Sequence, residues 1–153
     1  MSAAPLSDPN PPQDVPNFGE IQETFELLDD WEERYRYVID LGKAMEGLAE
    51  ERRIPALKVD GCASQVWIDM RVDEDADGVR RFRFDGDSDA LIVRGLIAVL
   101  RALLSGRPPG EIAAADPLAA MADLGLGGQL SAQRSNGLRA MVERLKSTAA
   151  AAA

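Results

Sequence analysis

Apolar residues recur every three or four positions between residues 31 and 48, which predicts an amphipathic helix with one face against a core. Capping signals at Asp30 and Asn17 predict the start of this helix and of a shorter one before it. Pro55 marks the end of regular helix. The residues of the longer apolar stripe are Trp31, Tyr35, Val38, Leu41, Met45 and Leu48.

After residue 65 the period of the pattern changes to two, which predicts a half-buried β-strand. Phe82 and Phe84 repeat the alternation on a returning strand. Asp77-Gly78, which lies between the two predicted strands, is a strong hairpin signal. A short third strand is expected at Leu57 to Val59, because a lone hairpin is only marginally stable. The alternating apolar residues of the first strand are Val66, Ile68, Met70 and Val72.

The second half of the chain returns to helical patterns. Residues 91–104 are apolar nearly all round, so this helix is expected to be central, with Asp87 or Ser88 as its cap. Two short helices and a last helix capped by Ser131 are expected to follow. Helices at both ends around an antiparallel hairpin predict the α+β fold class, a small antiparallel β-sheet flanked by helices.

Two glycines, Gly95 and Gly137, lie inside otherwise strong helical patterns. Each costs about 1 kcal/mol relative to alanine in a helix. We interpret them as sites where another segment packs closely, with the two helices crossing one another as the candidate arrangement.

The two ends of the chain differ in composition from its middle. Residues 1–16 carry five prolines among small and polar residues and are interpreted as a disordered N-terminal segment. Residues 149–153 are all alanine and are interpreted as a frayed tail. The range 17–148 between them is predicted to be one domain.

Charge and apolar content narrow the classes of partner. A net charge of -9 argues against nucleic acid and anionic membrane, since both attract basic surfaces. The longest apolar-rich stretch, 90–104, contains Arg94 and Arg101 and indicates a buried helix rather than a membrane span. The start of the chain lacks the features of a secretory signal. A single cysteine allows no internal disulfide, so a cytoplasmic location is expected.

The single cysteine, Cys62, lies in the segment Val59-Asp60-Gly61-Cys62-Ala63-Ser64-Gln65. Glycine and polar neighbours favour a turn, so the thiol is predicted to meet another molecule. The chain has no histidine, which excludes a Cys–His catalytic pair, and one cysteine cannot build a zinc site or an internal redox couple. A lone thiol can still accept sulfur, form a mixed disulfide or sense an oxidant.

Two further motifs are interpreted as turns that bind no ligand. The glycine-rich segment 125–128 follows no predicted strand and lacks the Lys-Ser/Thr ending of a phosphate-binding loop, so it is interpreted as a turn. The acidic residues of 73–77 lack the full ligand spacing of a calcium loop and are interpreted as a solvated hairpin turn.

Several blocks, in order along the chain, resemble the SufE/CsdE family of cysteine desulfuration proteins. The resemblance runs from about Phe25 to Leu145, and its most specific block is Gly61-Cys62-x-Ser64-x-Val66-Trp67. The other blocks are residues 31–37, residues 87–90, and Ser131 to Leu138 with Arg134, Asn136 and Gly137.

This resemblance implies a function for the thiol. Cys62 would accept persulfide sulfur from a SufS-type cysteine desulfurase, stimulate that enzyme, and deliver the sulfur to a SufBCD-type scaffold for iron–sulfur cluster assembly. The pyridoxal phosphate would belong to the desulfurase, with no cofactor and no metal held by this chain. The fold would be similar to that of the IscU-type scaffolds, and the thiol would turn inward under its loop when no partner is bound.

The resemblance also implies supporting roles for Gly61, Ser64, Asp89 and Arg134. Arg134 is interpreted either as a source of positive potential that favours the Cys62 thiolate or as half of a structural ion pair joining two helix starts. The alternative function for the chain is a thiol-based redox sensor or a regulatory binding module that acts through Cys62 without sulfur transfer.

Overall fold

The computed structural model describes residues 16–126 and 130–153, and within these ranges it has six α-helices and one two-stranded antiparallel sheet. The predicted α+β class is confirmed. In chain order the elements are α1 (Phe18–Leu27), α2 (Trp31–Ala44), β1 (Val66–Glu74), β2 (Arg80–Ser88), α3 (Leu91–Leu104), α4 (Pro109–Ala114), α5 (Pro117–Asp123) and α6 (Ala132–Ala152).

Helix α2 begins at its predicted cap but ends earlier than predicted. The Asp30 carboxylate accepts a hydrogen bond from the Glu33 N–H at 2.8 Å, which starts the helix as expected. The apolar stripe extends to Leu48, whereas the helix stops at Ala44. Met45 after it is already extended, with φ -74° and ψ 135°, and Gly47 further on has a φ of 79° in the left-handed region. The segment that follows contains two short 3-10 turns, Glu50–Arg52 and Pro55–Leu57.

The hairpin forms with the predicted alternation. Strands β1 and β2 pair from Val66 opposite Ser88 to Glu74 opposite Arg80, so the apolar side chains of both strands face the core. The predicted third strand is wrong. Pro55 at the start of the second 3-10 turn sets that segment in a helical turn, and pairing there is limited to a bridge between Lys58 and Trp67.

The core is built around α3, which α2 covers on one side and β2 on the other. A Cβ at Gly95 of α3 would collide with the backbone carbonyl of Val38 in α2. A Cβ at Gly42 would lie 2.7 Å from the Gly95 nitrogen, so the two helices meet backbone against backbone. Close packing at Gly95 was therefore predicted correctly. The predicted crossing with the helix of Gly137 is wrong, because Gly137 faces Cys62 instead.

The predicted cap of α3 is also wrong, because Asp87 has a different role. Residues 87 and 88 belong to β2, and the cap position is Ala90, which has no side-chain oxygen to offer. Asp87 is 1% exposed and pairs with the guanidinium groups of Arg94 and Arg53. It also accepts the Leu48 N–H at 2.9 Å, so it connects β2, α3 and the segment after α2.

The last helix extends further than predicted. Residues 149–153 were expected to fray, but α6 continues to Ala152 because Ala149 is fully buried in the core. The predicted disordered segment 1–16 lies outside the described residues except for Pro16, and the predicted glycine turn at 125–128 lies partly outside them.

We expect Gly95→Ala to lower the free energy of unfolding by about 3 kcal/mol, because the added methyl group would force α2 and α3 apart. Urea denaturation followed by circular dichroism measures this change. Gly110→Ala in α4 is the matched control, since a Cβ there meets no atom within 4 Å. Equal stability of Gly95→Ala and the wild-type chain would contradict the backbone contact between the helices.

Candidate functional site

Cys62 lies in a loop, residues 60–65, that projects from the start of β1. A hydrogen bond of 2.8 Å from the Val59 N–H to the Val66 carbonyl closes the base of this loop. Gly61 has a φ of 90°, a conformation that side chains rarely tolerate. A Cβ at Gly61 would also lie 3.3 Å from the Ala140 Cβ of α6. Glycine at 61 therefore allows both the turn and the close approach to α6.

Hydrogen bonds hold both ends of the loop, one end at Asp89 just before α3 and the other at Arg144 of α6. At the exit, the Gln65 N–H donates to Asp89 Oδ1 at 3.1 Å and the Asp89 N–H donates to the Gln65 carbonyl at 3.4 Å. At the entry, the Arg144 guanidinium of α6 donates to the carbonyls of Lys58 at 3.2 Å and Ala56 at 3.1 Å. Asp89 thus has a positioning role, and Arg144 is a contributor that the sequence pattern did not reveal.

The thiol itself points inward. Cys62 is half-buried, and its S–H donates to the Gly137 carbonyl of α6 with an Sγ–O distance of 3.6 Å. A cavity of about 210 Å³ lies beside the thiol, between the loop and helices α3 and α6. Its lining includes Ser64, Arg134 and Gly137, with the apolar side chains of Val93, Leu96, Leu138 and Met141. This geometry agrees with the inward thiol that the resemblance implied.

Two effects raise the pKa of the Cys62 thiol above its ordinary value. The larger is burial, which disfavours the charged thiolate, and the smaller is repulsion from the nearby Asp60 carboxylate. Because an ordinary thiol already titrates above neutral pH, the resting group is a protonated thiol at pH 7. The site at rest therefore holds a weakly nucleophilic sulfur.

Arg134 lines the cavity beside Cys62. Its backbone N–H donates to the Ser131 hydroxyl at 3.3 Å, and its guanidinium carbon lies 5.7 Å from the centre of the Tyr35 ring. Among the described side chains Arg134 forms no ion pair, so the predicted structural ion pair joining two helix starts is wrong. The pKa of the Cys62 thiol is shifted by burial and Asp60, so the structure gives Arg134 no part in that shift.

Four of the predicted site residues lie in the loop or at the cavity beside it, and a fifth lies at the loop exit. Gly61 shapes the turn, while Cys62, Ser64 and Arg134 line the cavity. Asp89 holds the loop end. Gly137 was noted as a helical glycine and as part of a family block, but not as the residue whose carbonyl the thiol contacts.

Residues 16–126 and 130–153 show neither a metal-binding cluster nor a membrane-spanning helix. No cluster of three or more His, Cys, Asp or Glu side chains is arranged to hold a metal ion. No helix in the same part of the chain has the length and apolar character needed to cross a membrane.

Comparison with known families identifies the domain. Residues 19–149 match the SufE family, described as an Fe–S metabolism associated domain. The chain belongs to the SufE family. The match includes the loop, both of its fastenings and the helix that the thiol faces, so the resemblance noted in the sequence is confirmed.

Relatives of this SufE-family chain cover most of its length. It is 53% identical over 130 residues to an uncharacterized SufE-like protein of Rhizobium etli, covering 85% of this chain and 87% of the relative. It is 41% identical over 125 residues to the sulfur acceptor protein CsdE of Escherichia coli, covering 82% of each chain. Such identities over such lengths show a shared domain rather than a shared motif.

A solved structure shares the fold of this chain. The solution structure of a hypothetical protein from Thermus thermophilus superposes with a TM-score of 0.69 and covers 90% of this chain and 96% of its own. Its sequence identity is 19%, so this likeness concerns the fold alone.

We expect Asp60→Asn to lower the pKa of the Cys62 thiol, because removing a nearby negative charge relieves the repulsion on the thiolate. At a pH below that pKa, the variant should react several times faster with iodoacetamide. Asp29→Asn, which changes an exposed carboxylate between α1 and α2, is the matched control. Identical pH profiles of alkylation for Asp60→Asn and wild type would contradict the effect of Asp60.

Proposed function

We propose that Cys62 is a persulfide carrier: it accepts sulfur from a SufS-type cysteine desulfurase and passes it to a SufBCD-type scaffold in the cytoplasm. Membership of a family associated with Fe–S metabolism supports sulfur relay as the general role. The name of the Escherichia coli relative, a sulfur acceptor, supports acceptance as the first step. The observation that carries the proposal is a lone thiol on a loop fastened at both ends and turned into a cavity.

The acceptance step is a thiol exchange that balances without an external oxidant. The Cys62 thiolate attacks the terminal sulfur of the desulfurase persulfide, forming a new S–S bond. The S–S bond within the donor breaks, and the donor cysteine leaves as a thiolate. Delivery repeats the exchange, with the acceptor thiolate attacking the outer sulfur on Cys62. The step needs no histidine base, which suits a chain that has none.

The geometry also explains why a partner is needed. The inward thiol contacts Gly137 and cannot reach another protein until the loop turns outward. Burial raises the pKa of the thiol, so leaving the cavity would increase the fraction present as the reactive thiolate. Docking to the desulfurase would therefore both expose and activate the thiol. Removal of sulfur from the desulfurase after each turnover would account for stimulation of that enzyme.

The cofactor of the reaction lies with the partner in this proposal. Pyridoxal phosphate in the desulfurase releases sulfur from free cysteine, and this chain contributes the acceptor thiol alone. The single cysteine matters here, because a second thiol nearby would attack the persulfide and close an internal disulfide.

The alternative function, an oxidant sensor or a regulatory binding module, is less well supported by the site. Sensor cysteines are exposed and have a lowered pKa, and many have a resolving cysteine close by. Cys62 is half-buried, its pKa is raised, and the chain has no second cysteine.

Incubation with a SufS-type desulfurase and free cysteine tests the relay. Mass spectrometry of the intact chain should show an added mass of about 32 Da, one sulfur atom, on Cys62. Desulfurase turnover should also increase when the chain is present. Cys62→Ser should abolish both effects, while Ser147→Ala, which changes an exposed serine of α6 outside the thiol cavity, should retain the mass shift. The absence of the added sulfur together with unchanged turnover would reject the proposal.

We expect Arg134→Ala to slow sulfur acceptance severalfold while lowering the free energy of unfolding by no more than about 1 kcal/mol. The guanidinium lines the cavity to which a loaded Cys62 would return, where its charge would favour an anionic persulfide, and its contact with Tyr35 is a modest cation–π interaction. Single-turnover transfer and thermal melting measure the two effects. Arg139→Ala, an exposed arginine of the same helix, is the control. A large loss of stability with normal acceptance would instead indicate a structural role.

A further inference from the structure

Three basic side chains lie together at the entry of the cysteine loop. Lys58 and Trp67 are partners in an antiparallel bridge, so their side chains share one face of the sheet. On that face the guanidinium carbon of Arg53 lies 5.9 Å from the centre of the Trp67 ring. The Arg144 guanidinium of α6 donates to the Lys58 carbonyl at 3.2 Å. We call Arg53, Lys58 and Arg144 the basic patch, and its Lys58 lies four residues before Cys62.

Carboxylates of the chain balance little of this positive charge. Among the described side chains, neither Lys58 nor Arg144 forms an ion pair. Arg53 pairs with Asp87, but a second guanidinium already pairs with the same carboxylate. Asp60 is exposed two residues after Lys58, and it contributes one negative charge at the loop. The patch therefore keeps an excess of positive charge at its surface.

The basic patch contrasts with the rest of the molecule. The whole chain has a net charge of -9, and residues 16–51 alone carry eleven acidic and three basic side chains, a net charge of -8. Charge that is divided in this way orients an approaching partner, because the acidic helices repel an acidic surface while the patch attracts it. An acidic protein surface would therefore be guided to the side of the molecule that carries the cysteine loop.

We propose that the basic patch docks an acidic segment of the cysteine desulfurase that donates sulfur to Cys62. The proposal rests on the sulfur relay and adds the chemistry by which the donor is recognised. The inward thiol has to turn outward before it can accept sulfur, so the donor is the partner that has to engage the resting loop. The patch lies at the entry of that loop, where Arg144 holds the backbone in place. A donor bound there would lie beside the part of the loop that moves.

Reversal of the charge at Lys58 tests the patch without removing an anchor of the loop, because only the backbone carbonyl of this residue is bonded to Arg144. We expect Lys58→Glu to raise the KM of a SufS-type desulfurase for this chain about fivefold to tenfold at low ionic strength, with kcat unchanged. The difference should shrink to less than about twofold in 0.5 M sodium chloride, because salt screens exposed charges. Turnover at varied concentrations of the chain measures both parameters.

Arg80→Glu is the matched control, since it makes the same change of charge at an exposed position on the same sheet. Arg80 pairs with Glu74, which lies seven residues from Trp67 along β1, or about 23 Å. This variant should leave KM unchanged. Lys58→Arg keeps the charge and should retain the wild-type KM. The melting temperatures of all three variants should stay within about 3 °C of wild type, because exposed side chains contribute little to stability.

Direct binding of the two proteins, measured by calorimetry without free cysteine, separates the patch from the relay. Equal affinity and equal KM for wild type and Lys58→Glu at low salt would overturn the patch and leave the relay intact. Weaker binding of Lys58→Glu, in a system where wild type binds but never gains sulfur, would reject the relay and support the patch. Wild type that neither binds the desulfurase nor gains sulfur would reject both.

Two further results would assign the patch to a different occupant and overturn the proposal. The first is normal acceptance by Lys58→Glu with slower delivery to a SufBCD-type scaffold, which would make the patch a contact for the acceptor. The second is a wild-type dimer in analytical ultracentrifugation that Lys58→Glu converts to a monomer. In that case the acidic surface of a second copy would occupy the patch.

Discussion

The fold depends most on the buried carboxylate of Asp87 at the end of β2. Burial alone would raise the pKa of Asp87, but the N–H groups of Leu48 and Ser88 and the charges of Arg94 and Arg53 hold it below its usual value. Arg94 extends this network by donating to carbonyls at the end of α2. Removing one partner of a buried ion pair costs about 3–5 kcal/mol, so these groups hold the sheet, α3 and the end of α2 together.

The same network fixes the base of the cysteine loop. Asp87 pairs with Trp67 across the sheet, and two residues further along Asp89 holds the loop exit at Gln65. Arg144 secures the entry from the opposite side, through α6. Between these anchors, the thiol is held by one weak S–H donor. A loop with rigid ends and a weakly held tip can turn outward while the rest of the domain stays folded.

Local patterns in the sequence were sufficient to predict the α+β class, the hairpin and the caps of α1, α2 and α6. They failed where a distant residue decides the local structure. The early end of α2 coincides with contacts from Arg94, and Asp87 could not cap α3 because two guanidinium groups engage it. The partners of Gly137 and Arg144 lie 75 to 88 residues away in sequence, a separation at which a periodic pattern carries no information.

A protected thiol creates a constraint that the docking partner has to meet. A low-pKa thiol exposed at rest would react with any disulfide or oxidant, and its sulfur would be lost to small molecules. Holding Cys62 inward and protonated limits such reactions, and under the proposed relay it would make sulfur transfer depend on moving the loop. One weak hydrogen bond and the partial burial of the sulfur keep the thiol inward, and together they stabilise this position by a free energy on the order of 1–2 kcal/mol. A protein interface of ordinary size supplies more than that, so docking can drive the loop outward and still be reversible.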